Sequence, residues 1–169
     1  MRRVKYGIAL LFALFLVGLL PLAAFAVSPH FLSASATGPD PGNLAVMFKE
    51  AGLGNNVLIN YQASADGTAV YACFNGGSKH PMATNKETVQ SPVIAVGTFS
   101  SDKNGTVSGN LSISPPPPES FTCPSGQTLV LAFVSYTGVG IADTTNNVSK
   151  DIAGTFPECF VDPALGLCP

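Results

Sequence analysis

Hydrophobic and polar positions alternate with a period of two along most of the chain beyond residue 27, the pattern of strands with one buried face. Leu44, Val46 and Phe48 alternate with Ala45, Met47 and Lys49, which predicts a strand. Residues 31–36 alternate more weakly and predict an edge strand. Val57, Ile59, Tyr61, Ala63 and Ala65 share one face. Asp66-Gly67 follows, and the chain returns over 68–74 with Ala69, Tyr71 and Cys73 on one face. Asp-Gly is a favoured two-residue turn, so this stretch predicts a hairpin. A second hairpin is predicted from 93–99 and 107–113 about Asn104-Gly105. Residues 128–136 are apolar on both faces, with Leu129, Leu131 and Phe133 on one side and Val130, Ala132 and Val134 on the other. That places them centrally in a sheet. A last pair, 138–144 and 148–156, flanks Asn146-Asn147.

The breaks between these runs are made of turn formers. Residues 38–42 (GPDPG), Gly52 to Asn56 and the four prolines Pro115 to Pro118 suit no strand or helix interior. About eight or nine short strands at this spacing, with no good helix, imply an all-β fold. The expected architecture is a two-sheet antiparallel β-sandwich, immunoglobulin-like in its layering, with a barrel as the alternative.

The first 26 residues stand apart. Arg2, Arg3 and Lys5 precede an unbroken apolar run from Ile8 to Leu20, Pro21 ends it, and Ala24 and Ala26 supply small residues at the two positions a signal peptidase reads. This predicts a signal helix over 1–26, cleaved after Ala26. An uncleaved N-terminal anchor is the alternative. The remainder divides into a sandwich domain over 27–157 and a cysteine-containing tail over 158–169, with no second span.

Charge then narrows the partners. Loss of Arg2, Arg3 and Lys5 leaves five lysines against ten acidic residues, a formal charge of −5. Scattered lysines on an acidic chain provide no phosphate-binding patch, so nucleic acid is not an expected partner.

Four cysteines in an exported chain read as two disulfides with three possible connectivities. Cys159 and Cys168 are near neighbours and are expected to pair, leaving Cys73 with Cys123. The chain-entropy model gives the longer loop about 4 kcal/mol of stabilisation and the shorter about 2.7 kcal/mol. A free Cys–His nucleophile is not expected, since the cysteines are even in number and His30 and His80 are the only histidines. Neither C-x-x-C nor H-x-x-x-H spacing is present for zinc. Residues 102–105 (DKNG) resemble the start of a calcium loop but lack its later oxygen ligands. No G-x-S-x-G elbow occurs. Asn104, Asn110 and Asn147 open N-glycosylation sequons.

Two resemblances add to this. Tyr71-Ala72-Cys73 resembles the Tyr-x-Cys of immunoglobulin domains, although the chain has no Trp to pack on the bond. More of the chain is covered by "FKEAGLGNN", "YACFNGG", "KNG…SGNLSISPP" and "FTCPSGQTLVLAFVSYTGV". These segments resemble a family of small secreted proteins of unknown function. In that family Y-x-C-x-N-G-G and C-P-x-G-Q recur together, which implies a disulfide joining them.

The functional expectation is a non-enzymatic, secreted interaction module without a cofactor, binding an extracellular protein or a glycan. Its expected contact surface is the connection 75–87, with Asn75, Lys79, His80, Asn85 and Lys86, because loops on a rigid scaffold carry most binding. The alternative is an exported hydrolase whose carboxylates converge only in three dimensions. A metal-dependent binder with clustered Asp oxygens is a third class.

Overall fold

The computed structural model describes residues 28–38, 41–75 and 85–168. Ala24 and Ala26 of the signal segment lie outside them, as do Lys79 and His80. Among the described residues eight strands form two antiparallel sheets: β1 (His30–Thr37), β2 (Leu44–Ala51), β3 (Leu58–Asn75), β4 (Lys86–Ser100), β5 (Val107–Ile113), β6 (Gln127–Asp143), β7 (Val148–Ile152) and β8 (Phe156–Cys159). One sheet has the order β1-β2-β5. The other runs β4-β3-β6-β7, with β8 on β6 beside β7. The chain is therefore an all-β sandwich, as its alternation implies.

Three local expectations are corrected. Asp66-Gly67 is not a turn: β3 runs unbroken through it, pairing Asp66 with Pro92 on β4 and with Thr137 on β6. Residues 93–99 and 107–113 do not pair with each other. β4 belongs to the larger sheet and β5 to the smaller, and the turn at Asn104-Gly105 carries the chain between them. Asp102 Oδ1 accepts from the backbone N–H groups of Asn104 and Thr106 and shapes that crossing. Finally, the predicted strands 128–136 and 138–144 merge into one, β6, which ends at Asp143, and its two register shifts change which side chains face inward. Leu131 packs between the sheets while Phe133 turns to the outer face. Gly138 provides the left-handed backbone (φ 58°) at one of these irregularities.

The main core lies where the two sheets overlap. Leu44, Val46 and Phe48 of β2 and Ile113 of β5 meet Ile59, Tyr61 and Ala63 of β3 and Tyr136 and Ile141 of β6. Aromatic rings fill the space that no Trp occupies. Phe48 and Tyr61 lie 4.4 Å apart between centroids, and Phe99 meets both edge-on at 5.5 and 5.7 Å. The Tyr136 hydroxyl donates to the Gly42 carbonyl at 2.6 Å, tying the entry of β2 to the centre of the larger sheet.

β3, β4 and β6 are about twice as long as the strands facing them, so the larger sheet overhangs its partner. Two irregular segments cover the overhang, one on each face. On the inner face Phe121 packs on Ala69, Tyr71 and Val89. The Tyr71 hydroxyl donates to the Pro116 carbonyl at 2.7 Å, and Cys123 is bonded to Cys73. On the outer face Val161, Leu165 and Leu167 pack on Val70, Ala72, Phe74 and Phe133, and Cys168 is bonded to Cys159 of β8. Residues 158–168 are thus built into the sandwich body. Both disulfides join the expected pairs.

Gly67 shows what the Asp-Gly pair is for. A Cβ there would stand 2.8 Å from Cδ of Pro116 and 3.3 Å from Cγ2 of Val93. The glycine lets the proline run lie directly on the sheet. Gly67→Ala is expected to destabilise the fold by about 1–3 kcal/mol through overpacking. A urea midpoint equal to that of the parent protein would refute that assignment.

Candidate functional site

Three places merit comparison as sites. The first is the expected loop. Asn75 closes β3, and Asn85 and Lys86 open β4 at the same end of the overhang. Cys73 N–H donates to the Asn85 carbonyl at 3.0 Å, and Asn85 Nδ2 donates to Gln127 Oε1 at 3.1 Å. Asn85 therefore anchors the foot of the loop, while Asn75 and Lys86 are exposed.

The second place, at the opposite end of the sandwich, brings together two acids that no sequence motif singles out. Glu50 of β2 and Asp143 of β6 both point between the sheets, each 0% exposed. Tyr61 of β3 lies against them, and His30 opens β1 close enough for its charge to be felt. The signal was present in the sequence: the inward parity of Leu44, Val46 and Phe48, continued by two residues, arrives at Glu50. On β6 the inward series Val139 and Ile141 likewise arrives at Asp143.

The two acids are held differently. Asp143 Oδ1 accepts from the backbone N–H of Thr145 at 2.8 Å and of Asn146 at 2.9 Å, and Oδ2 accepts from Asn146 Nδ2 at 2.6 Å. These bonds also shape the tight turn into β7. Glu50 has no such support: among the described residues neither of its carboxylate oxygens has a partner in hydrogen-bond geometry, and neither does the Tyr61 hydroxyl.

Burial pushes the Glu50 carboxyl above its ordinary value, and the Asp143 charge and the hydrogen bond it can accept push the same way. The Tyr61 hydroxyl and His30 pull downward without reversing this. Burial and the neighbouring Glu50 raise the Tyr61 phenol far above its usual range. Two ionised carboxylates can only accept, so the approach of Glu50 to Asp143 becomes a hydrogen bond only when one holds a proton. Asp143 already accepts from three donors, whereas burial favours the protonated form of Glu50. The two acids come from different sheets, Glu50 from β2 and Asp143 from β6. No group of three or more His, Cys, Asp or Glu that could hold a metal ion occurs among the described residues.

The third place is the outer face of the larger sheet, away from the overhang. Leu58 of β3 and Ile94 and Val96 of β4 are 68%, 60% and 68% exposed. The register places all three on one face. Beside them a shallow depression of about 420 Å³ is lined by Asn60, Gln62, Val96, Thr98 and Thr144. Thr98 Oγ1 donates to Asn60 Oδ1 at 2.7 Å, which fixes the orientation of that amide.

Comparison with protein-family models, with curated proteins and with solved structures gives no match.

Proposed function

We propose that the chain is exported, loses residues 1–26, and acts as a disulfide-held extracellular interaction module for a protein or glycan. The observation that carries this reading is the uneven cover of one sheet face. Where the outer face is apolar over the overhang, the chain covers it with its own tail. Over the other half, Leu58, Ile94 and Val96 have no cover among the described residues and adjoin the polar depression at Asn60, Gln62 and Thr98. Exposed apolar side chains interspersed with amides and hydroxyls suit partner binding. The disulfides suit an oxidising compartment.

The test is a glycan and surface-protein array probed with the oxidised protein. Gln62→Lys and Ile94→Lys are each expected to weaken a specific hit about tenfold. A hit weakened instead by Asn75→Ala and Lys86→Ala would move the contact to the loop. Absence of any specific hit would overturn the reading. N-terminal sequencing of the exported protein checks cleavage after Ala26.

A second reading, an exported hydrolase, draws on the Glu50–Asp143 pair. It requires the β1–β2 end to open to substrate, because neither acid is accessible in the closed sandwich. Turnover of a glycoside, ester or peptide that disappears in Asp143→Asn would establish it.

A further inference from the structure

The register of β4 fixes which of its backbone groups face outward. Ser101 N–H donates to Val57 O at 2.9 Å and Cys73 N–H donates to Asn85 O at 3.0 Å, and the β3–β4 pairing between these points has no register shift. In an antiparallel pair, alternate residues turn their N–H and C=O towards the same neighbour. Odd-numbered residues of β4 therefore bond to β3, and even-numbered ones turn theirs to the open edge. The only strand hydrogen-bonded to β4 among those described is β3. β5 passes beneath the inner face, Leu111 against Gly97, and does not occupy the edge.

Exposed edges are ordinarily blunted by charge, proline or bulges. In β4, Pro92 is even-numbered and sits where its missing N–H costs no bond to β3. Beyond it, from Ile94 to Ser100, the edge has no charge, proline or bulge.

We propose that a second copy of this chain pairs with this edge, β4 antiparallel to β4, about a two-fold axis at Val96. Val96 then faces its own copy and Ile94 faces Thr98, and each edge-facing N–H and C=O from Ile94 to Thr98 finds a partner. The strand favours self-association because it is uncharged from Thr88 to Ser100, so no like charges oppose one another across the axis. The β-branched side chains of Ile94 and Val96 from both copies then adjoin on one outer face. The two larger sheets become one continuous sheet, and the two exposed patches become one.

Sedimentation equilibrium of the full exported chain with both disulfides tests this. A concentration-dependent dimer is expected. Val96→Lys places two like charges together at the axis and is expected to weaken the dimer roughly tenfold or more. Thr98→Pro removes an edge-facing N–H without touching the β3 ladder, and is expected to weaken it similarly while circular dichroism stays unchanged. Val96→Cys is expected to cross-link two copies on mild oxidation, since hydrogen-bonded antiparallel pairs place Cα atoms within disulfide range. A protein that stays monomeric into the millimolar range overturns the proposal. So does a dimer insensitive to both Val96→Lys and Thr98→Pro, or a monomer whose edge takes only an extended peptide of another protein.

Discussion

Replacing Cys73 and Cys123 together by alanine is expected to lower the unfolding free energy by about 2–5 kcal/mol, the largest loss any single covalent change should cause here. The bond closes a loop with a sequence separation of 50 residues, and restricting a loop of that size in the unfolded chain accounts for much of the effect. The rest is structural. The segment it holds is proline-rich and belongs to no sheet, so its attachment rests on Phe121 packing, the Tyr71–Pro116 hydrogen bond and the disulfide. Without the bond, proteolysis should begin between residues 114 and 126 before the strands are cut. The Cys159→Ala, Cys168→Ala pair closes a shorter loop, with a separation of 9, and should cost less, about 2–3 kcal/mol. Urea unfolding with limited proteolysis distinguishes the two. Equal losses, or initial cleavage elsewhere, would contradict the role given to the inner segment.

The second large effect concerns Glu50. Its carboxyl holds a proton to higher pH in the folded protein than in the unfolded chain, where the ordinary value is 4.5. Below 4.5 both states are protonated and the contribution of this group is fully present. As pH rises from there towards the raised folded value, the unfolded chain releases its proton first, and stability falls. Above the folded value an unpartnered charge remains between the sheets.

Glu50→Gln removes this dependence. The amide can donate to Asp143, and such a bond to a charged group is worth about 1.5–3 kcal/mol. The variant should therefore be more stable than the parent at neutral pH and should match it more closely in acid. Unfolding midpoints across the acid-to-neutral range provide the measurement. A Glu50→Gln variant that keeps the parent's slope would show that the pH dependence arises elsewhere.

Much of this fold was legible as alternation, and the main misreading was legible too. In a two-residue hairpin the flanking residues oppose one another and share a face. An Asp66-Gly67 turn would thus put Ala65 and Thr68 together. The apolar series instead runs Ala63, Ala65, Ala69, Tyr71, Cys73, one parity throughout, which fits only a continuous strand. The favourable local chemistry of Asp-Gly yielded to close packing by Pro116, a residue far along the chain. Cys73 and Cys123 could be paired from number and spacing. The choice of neighbour for β4 could not, because an identical turn at Asn104-Gly105 serves a hairpin or a crossing between sheets. The Glu50–Asp143 pair was half-visible: parity points both residues inward, but their meeting depends on which strands face each other.

The overhang of the larger sheet also governs when folding can finish. Its two faces present Tyr71 and Ala69 on one side and Val70 and Phe74 on the other, and both covering segments are fastened by cysteines. In a reducing compartment that half of the sheet is expected to remain a two-sided apolar ribbon, open to chaperones and unfit for compact folding. Oxidation of the two cysteine pairs would then act as the closing step of assembly.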